Sequence, residues 1–430
     1  MISTDLSDHP ADGEVASWDS THAVADAWRH SSGRTGDVTA LLLRLKRWMP
    51  TLGITRVADA TGLDRIGIPV AMASRPNSKS LSVSMGKGLT IEDAKLSAIM
   101  ESVESWHAEN ILLPLRLATP SQMVSVGKLV DLSSLPLATS AILTDWTRLL
   151  WVEGEDLKNQ RRSWLPFAFA NLDLTIPLPE GSALFPPSST GLGAGFTRGQ
   201  AIAHGLAEVI EADALSFWGF RTPSEQDARR IDPDQVADPV CRHLLHRIHE
   251  AGLLVGLWDI ADKILIPTFL CRIMDAEVWG TSPFSWVDGS ASHVNPAVAL
   301  AGAILEAAQG RVTQIAGARD DNYRSYYGTF PEDILEAQRQ RLRTRPGTAL
   351  RSLAERLGDA SPRCLPVDRA QAVAMMVDRL DQAGLSQVLA VDLTQQLIGI
   401  PVVKIVVPGA EDGYEAAHYQ AGPRLSAAMA

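Results

Sequence analysis

GKGLTIEDAKLSAIMESVE, residues 86–104, and GAGFTRGQAIAHGLAEVIE, residues 193–211, are two copies of one unit. At a constant offset of 107, Gly86 meets Gly193, Gly88 meets Gly195, Thr90 meets Thr197 and Ala94 meets Ala201. The match continues through Glu101 with Glu208 and Glu104 with Glu211. A third, weaker copy, HVNPAVALAGAILEAAQ, starts at His293. At an offset of 98 from the second copy it places Ala299 on Ala201, Glu306 on Glu208 and Gln309 on Glu211. Each copy reads as a loop, a helix start, a small residue and then a polar pair three residues apart. Internal repeats of this kind dominate any fold reading.

Residues i and i+3 share one face of a helix. Glu101 and Glu104 therefore point one way, and so do Glu208 and Glu211. Ser97 and His204 lie four residues earlier on the same faces. Apolar flanks surround both pairs: Leu96, Ile99, Met100 and Val103 in the first copy, Ile202, Leu206, Val209 and Ile210 in the second. A carboxylate stripe between apolar flanks is costly unless it is solvated, paired or bound to cations. A single ExxE is commonly a solvated helix face; matched copies argue for convergence on one site. Five converging glutamates would repel one another, and divalent cations such as Mg²⁺, which take oxygen ligands, relieve that.

Outward from the repeats, helices are expected over 91–110, 199–219 and 296–316, with a shorter one from Val38 to the stop at Pro50. Strands are expected over 55–60, 66–73, 81–84, 164–169, 253–260, 266–273 and 402–407. Residues 124–132 and 147–151 read as mixed loop and strand, and 175–196, rich in Pro, Ser and Gly, as a loop. Alternating helices and strands give an α+β or α/β domain over 39–430, preceded by a flexible polar leader over 1–38.

Composition narrows the function. The chain has 430 residues, 46% apolar and 21% charged, with a formal charge of −11. That balance disfavours a nucleic-acid surface as the main partner. Cys241, Cys271 and Cys364 lie far apart and form neither a zinc ribbon nor a disulfide framework, so a reducing cytoplasm is the simplest home. No signal peptide and no apolar run of ~18 residues is visible, so no membrane span is expected.

Other motifs are weaker. RPNSKSLSVSMGKGLT, residues 75–90, carries Arg75, Lys79 and Lys87 before a helix start, a setting suited to phosphate, although GxxxxGK[ST] is absent. His243, His246 and His249 read as the polar face of a surface helix. Arg311 could pair a phosphate, whereas Arg319, Asp320 and Asp321 read as a surface ion-pair group.

Taken together, LDRIGIPV, RPNSKSLSVSMGKGLT, the SxxxExxE of Ser97, Glu101 and Glu104, HGLAEVIEADA and EAAQGRVTQIAGARDD resemble the YcaO family over about residues 50–410. The resemblance implies an α+β fold with an ATP site that lacks a P-loop. It implies ATP- and Mg²⁺-dependent O-phosphorylation of a peptide backbone amide after a nucleophile has added. A side-chain nucleophile would give an azoline, sulfide a thioamide, and an amine an amidine. Matched to the family, Lys87, Ser97, Glu101, Glu104, Glu208, Glu211, Glu306, Gln309 and Arg311 would bind the nucleotide. Glu101, Glu104, Glu208, Glu211 and Glu306 would hold the metal, and no catalytic residue is singled out.

The chain departs from the family pattern at Thr190 and Phe196, where Asn is usual, and at Ala212 and Gly302, where Arg is common. Lys87 or Arg311 would then have to carry the phosphate charge. The match begins near residue 50, without a fused leader-binding or E1-like domain, so a separate partner is expected to recruit the peptide or protein substrate. The ending AGPRLSAAMA lacks a PxPxP tail, and TRVADATGLDRIGIPV looks like members paired with a TfuA-type protein. The resemblance therefore leans to thioamide formation, with an azoline-forming cyclodehydratase component or a non-catalytic scaffold as alternatives. Family analogy suggests a homodimer.

Overall fold

The computed structural model describes residues 24–26, 29, 37–277, 286–321, 327, 330–344, 368–412 and 420–429. Three helices expected from the repeats form nearly as read: α2 (Ile91–Glu109), α3 (Arg198–Gly219) and α5 (Pro296–Ala316). Each begins on a side-chain cap. Thr90 accepts the Asp93 N–H, Thr197 the Gln200 N–H and Asn295 the Ala297 N–H. Such caps satisfy backbone donors that a helix start leaves free. Around these helices lie α1 (Val38–Lys46), α4 (Pro239–Glu250), α6 (Glu332–Arg343) and α7 (Arg369–Gln382).

Three antiparallel sheets back the repeat helices. The first runs β1 (Arg56–Asp59), β2 (Val70–Ser74), β3 (Val83–Lys87). The second runs β11 (Val287–Ser292), β10 (Thr268–Asp275), β9 (Leu253–Asp259), β8 (Arg230–Ile231). The third is six-stranded: β4 (Arg116–Ala118), β5 (Leu149–Asp156), β12 (Leu389–Asp392), β13 (Val402–Val406) and β7 (Leu192–Ala194), with β6 (Arg161–Pro166) hydrogen-bonded to β5. This is the expected α+β architecture.

The sequence places the third strand at 81–84, but β3 continues to Lys87 because Lys87 pairs with Val70 across the ladder. Likewise, β7 lies inside the segment read as loop, held by Val402–Ala194 and Val403–Gly193 pairing. The glycines that open the first two repeats are thus strand residues pressed against their own helix. A Cβ on Gly86 would lie 2.1 Å from the Ala94 carbonyl oxygen, and one on Gly193 would lie 2.2 Å from that of Ala201. Only glycine permits that approach. The strand expected over 164–169 ends at Pro166 and continues as a single 3₁₀ turn.

Each helix packs on its own strand and on the strand of the next unit. α2 rests on β3 and β7, α3 on β7 and β11, and α5 on β11 and back on β3. The three units therefore close a ring. Separate apolar clusters fill in behind it: Ala94, Ala98, Ile99 and Val103 behind α2, Leu206, Val209 and Ile210 behind α3, and Ala303, Ile304 and Ala307 behind α5.

The polar leader expected over 1–38 lies largely outside the described residues. Within it, Val24 and Ala25 are buried, and the Arg29 guanidinium donates to both oxygens of Asp93 at 3.0 and 2.9 Å. Cys241 and Cys271 are buried free thiols, and Cys364 lies outside the described residues. Among the described residues, no helix is long and apolar enough to cross a membrane.

Candidate active site

The ring brings the polar faces of α2, α3 and α5 together. Glu104 accepts the Ala194 N–H of β7 at 2.7 Å. Glu211, its counterpart one unit on, accepts the Ser290 hydroxyl of β11 at 2.5 Å. Glu306 pairs with Lys87 at the end of β3. Each of these carboxylates thus reaches from its own helix to the strand of the next unit. Glu208 stays nearer home, accepting the Gly191 N–H at 3.1 Å. Nε2 of His204 lies 3.7 Å from Glu104 and 3.6 Å from Glu208.

Lys87, His204, Glu208, Glu211 and Glu306 line a cavity of ≈ 450 Å³. Ala212 and Gly302, the two positions without the expected arginine, lie on its wall, as do Thr190 and Asp412. Glu101 and Glu104 are not among the lining residues, but they act electrostatically with two that are, Glu101 with Glu306 and Glu104 with Glu208. Ser97, four residues before Glu101, is half-buried, as is Gln309, three residues after Glu306.

Burial and crowding raise the proton affinity of the acids. Burial lifts Glu101 to about 7, against the opposing pull of Arg319 and Lys87. Burial lifts Glu104 to about 8, with the Ala194 N–H opposing and Glu101 adding to it. Glu208 is pushed well above the ordinary carboxylate range, first by burial and then by Glu104 and Glu211. Glu211 rises to about 7 through burial and the nearby Glu306. A divalent cation among these groups would restore their charged forms, and an all-carboxylate oxygen set is the kind Mg²⁺ takes. Among the described residues, no three acidic, His or Cys side chains lie close enough to hold a metal ion by themselves.

Arg311 is oriented away from this cavity. It is 3% exposed and donates to Asp64 at 2.9 and 3.2 Å, with Asp275 3.7 Å away. A buried guanidinium needs a carboxylate partner, and Asp64 of the LDRIGIPV segment is that partner. The family pattern implies a phosphate contact for Arg311; in this structure its guanidinium is held in the ion pair with Asp64. Arg75 and Lys79 are similarly committed: Arg75 pairs with Glu109, and Lys79 bonds Asp173 at 2.9 Å. The His243, His246 and His249 helix buries Val240, Cys241, Leu244, Leu245 and Ile248, leaving His246 and His249 exposed and His243 half-buried.

Two cations escaped the sequence reading. Arg319, read as a surface residue, does pair with Asp321 at 2.6 Å, but its charge also acts on Glu101. Lys404, hidden in the apolar run PVVKIVVPG, is 3% exposed, and its field reaches Glu208. A lysine interrupting an otherwise apolar strand was the available signal. Each unit's leading glutamate thus has a cation nearby: Arg319 for Glu101, Lys404 for Glu208 and Lys87 for Glu306.

Comparison with known proteins places this site in context. The family model described as YcaO cyclodehydratase, ATP- and Mg²⁺-binding, matches residues 85–411. An uncharacterized protein in the tfuA 3′ region of Rhizobium leguminosarum bv. trifolii is 33% identical over 377 residues, covering 86% of this chain and 87% of its own. An uncharacterized protein of Methanothermobacter thermautotrophicus is 32% identical over 374 residues, covering 84% and 90%. Among solved structures, YcaO from Methanopyrus kandleri bound with AMPPCP and Mg²⁺ superposes with a TM-score of 0.65 at 21% identity, over 90% of this chain and 93% of that one. A heterocyclase in complex with substrate and cofactor gives a TM-score of 0.65 at 20% identity, over 95% of this chain and 54% of that one. At these identities the structural likeness speaks to the fold.

Proposed function

The chain belongs to the YcaO family, and from that premise we propose that its acidic cavity binds ATP with Mg²⁺ and uses it to activate a backbone amide of a peptide or protein. The observation that carries this reading is the meeting of Glu101, Glu104, Glu208, Glu211 and Glu306 from three capped helices, with Lys87 ion-paired to Glu306 at the cavity wall. When bound, Mg²⁺–ATP supplies the phosphoryl group that turns a poor leaving group, the amide oxygen, into a good one.

The protein's part is positioning and charge balance. Glu104, Glu208 and Glu211 each have an oxygen fixed by a donor from the scaffold, which aims the carboxylate before any cation arrives. Lys87 offers N–H donors to phosphate oxygens from the wall. Arg319 tempers the charge of Glu101 from behind. With Ala212 and Gly302 on the wall, Lys87 and Arg319 take the task that arginines at those positions would perform.

The finer reading is thioamide formation with a TfuA-like partner, and the relative from the tfuA 3′ region supports it. The family description as a cyclodehydratase supports azoline formation as the second reading. Calorimetry with Mg²⁺ and AMPPCP tests the site. Glu104→Gln and Glu208→Gln are each expected to lose at least about tenfold in affinity, roughly 1.4 kcal/mol. Unchanged affinity in both would refute the assignment. Mass spectrometry of a peptide turned over with ATP then separates oxygen-for-sulfur exchange from loss of water.

A further inference from the structure

A second cavity, of ≈ 460 Å³, adjoins the acidic one, and Thr190 and Asp412 line both. The partition is hydrogen-bonded: Ser188 Oγ donates to Asp412 at 2.6 Å and Thr190 Oγ1 at 3.1 Å. Behind it the lining changes character. Leu137, Ala138 and Phe169 form one side, and Val407 and Ala410 another, with Pro186 and Pro187 between. Prolines make rigid walls that offer carbonyls but no N–H.

Into this apolar space faces Lys404. Its ammonium is buried, and it donates to the Ser188 carbonyl at 2.6 Å. Among the described residues that is its one hydrogen-bond acceptor, and it makes no ion pair. An ammonium carries three donors, so two N–H groups are left in a cavity whose lining is chiefly aliphatic. A buried donor without an acceptor is costly. The negative fields of Asp412 and Glu208 already act on Lys404, so neutral carbonyl oxygens suit the remaining donors, and a further anion is not required.

We propose that this second cavity seats the peptide substrate: an apolar side chain packs among Phe169, Val407 and Ala410 while a backbone carbonyl accepts from Lys404. The inference rests on the peptide-activating reading given above. Since Thr190 and Asp412 belong to both cavities, a peptide held in this way presents its next amide to the wall shared with Glu208. Apolar pockets with few convergent polar groups are the common form of small-ligand sites.

The test uses the full chain and a minimal probe, N-acetyl-leucine N-methylamide, followed by ligand-observed NMR. The wild type is expected to bind it with or without Mg²⁺–AMPPCP. Ala410→Trp and Ala138→Phe each fill the cavity from its lining, and Lys404→Met removes the donor. Each is expected to weaken the probe at least about tenfold, while in the two filled variants calorimetric affinity for Mg²⁺–AMPPCP stays within a factor of about two. Absence of probe binding to the wild type, or binding to both filled variants as tight as to the wild type, overturns the proposal. So does loss of nucleotide affinity in the filled variants, which would make the cavity a base pocket. Failure of the wild type to bind Mg²⁺–AMPPCP, with probe binding intact, would instead refute the ATP reading alone.

Discussion

Lys87, the last residue of β3, is ion-paired with Glu306 on α5, 219 residues further along the chain. This contact joins the first unit to the third and closes the ring around the cavity. Both side chains are partly exposed, at 27% and 38%. Exposed pairs add little to stability, so the pair is better understood through the charge it sets at the cavity wall.

Lys87→Met is accordingly expected to change melting temperature little and turnover greatly. Removing a charge-stabilising donor from a transition state costs roughly 10²–10³ in rate. ADP release in the presence of the peptide substrate measures it. A Lys87→Met protein that turns over normally would move the phosphate contact elsewhere.

The raised carboxylates set a pH dependence. A group whose folded pKa is raised contributes stability that is fully present below its unfolded value and is lost as pH rises through the folded one. For Glu101, Glu104 and Glu211 the ordinary value is 4.5 and the folded values are about 7, 8 and 7. Between pH 6.5 and 8 the metal-free protein should therefore lose stability as pH rises. This window lies above the titrations of His107 and His243, which burial lowers from 6.5. Differential scanning fluorimetry should show a falling melting temperature, a shallower fall in Glu104→Gln, and a shallower fall in the wild type with Mg²⁺ and AMPPCP. A rise across that window in metal-free protein would contradict the assignment.

Gly86→Ala and Gly193→Ala should each destabilise the fold. The added Cβ would meet backbone of α2 or α3, which cannot swing aside as a side-chain tip can. Overpacking of this kind costs roughly 1–3 kcal/mol. Gly62→Ala, where a Cβ meets nothing within 4 Å, serves as the control. Urea titration reads all three.

The Arg311–Asp64 pair separates a structural role from a nucleotide-binding one. Arg311→Met leaves Asp64 buried without its cation, holding only the Arg65 backbone N–H, at a cost of roughly 3–5 kcal/mol, and the paired change Arg311→Met with Asp64→Leu should recover part of that. Denaturation curves give the coupling. Arg311→Met with stability intact and AMPPCP affinity lost would show that the guanidinium serves phosphate instead.

The repeat made much of the site legible in the sequence. Spacing of three placed Glu101 with Glu104 and Glu208 with Glu211, and in the structure each helix begins on its own side-chain cap, Thr90, Thr197 or Asn295. These are local signals, set by helix geometry and by side chains next to their own backbone. What the sequence hid was non-local. β5 pairs with its hairpin neighbour β6 but also with β4 and with β12 near the far end of the chain, and no local pattern announces those last two partners. Asp64 gave no sign that it awaited Arg311, because a buried ion pair is written in two places with nothing between to link them. Lys404 alternates with valine and isoleucine in a strand buried along its length, so its reach toward Glu208 depends on how β13 lies beside β7.

The closed ring of strand–helix units also speaks to origin. Three separate copies of one such unit, related by a threefold axis, would wall in an equivalent acidic chamber as a trimer. Joined in one chain, the copies are free to differ, and they do so where a substrate with two unlike ends would demand it. The place four residues before the leading glutamate holds Ser97, His204 and Gly302 in turn, and the second acidic place holds Glu104, Glu211 and Gln309. The shared unit shapes the chamber, and the differences between its copies give the chamber a direction.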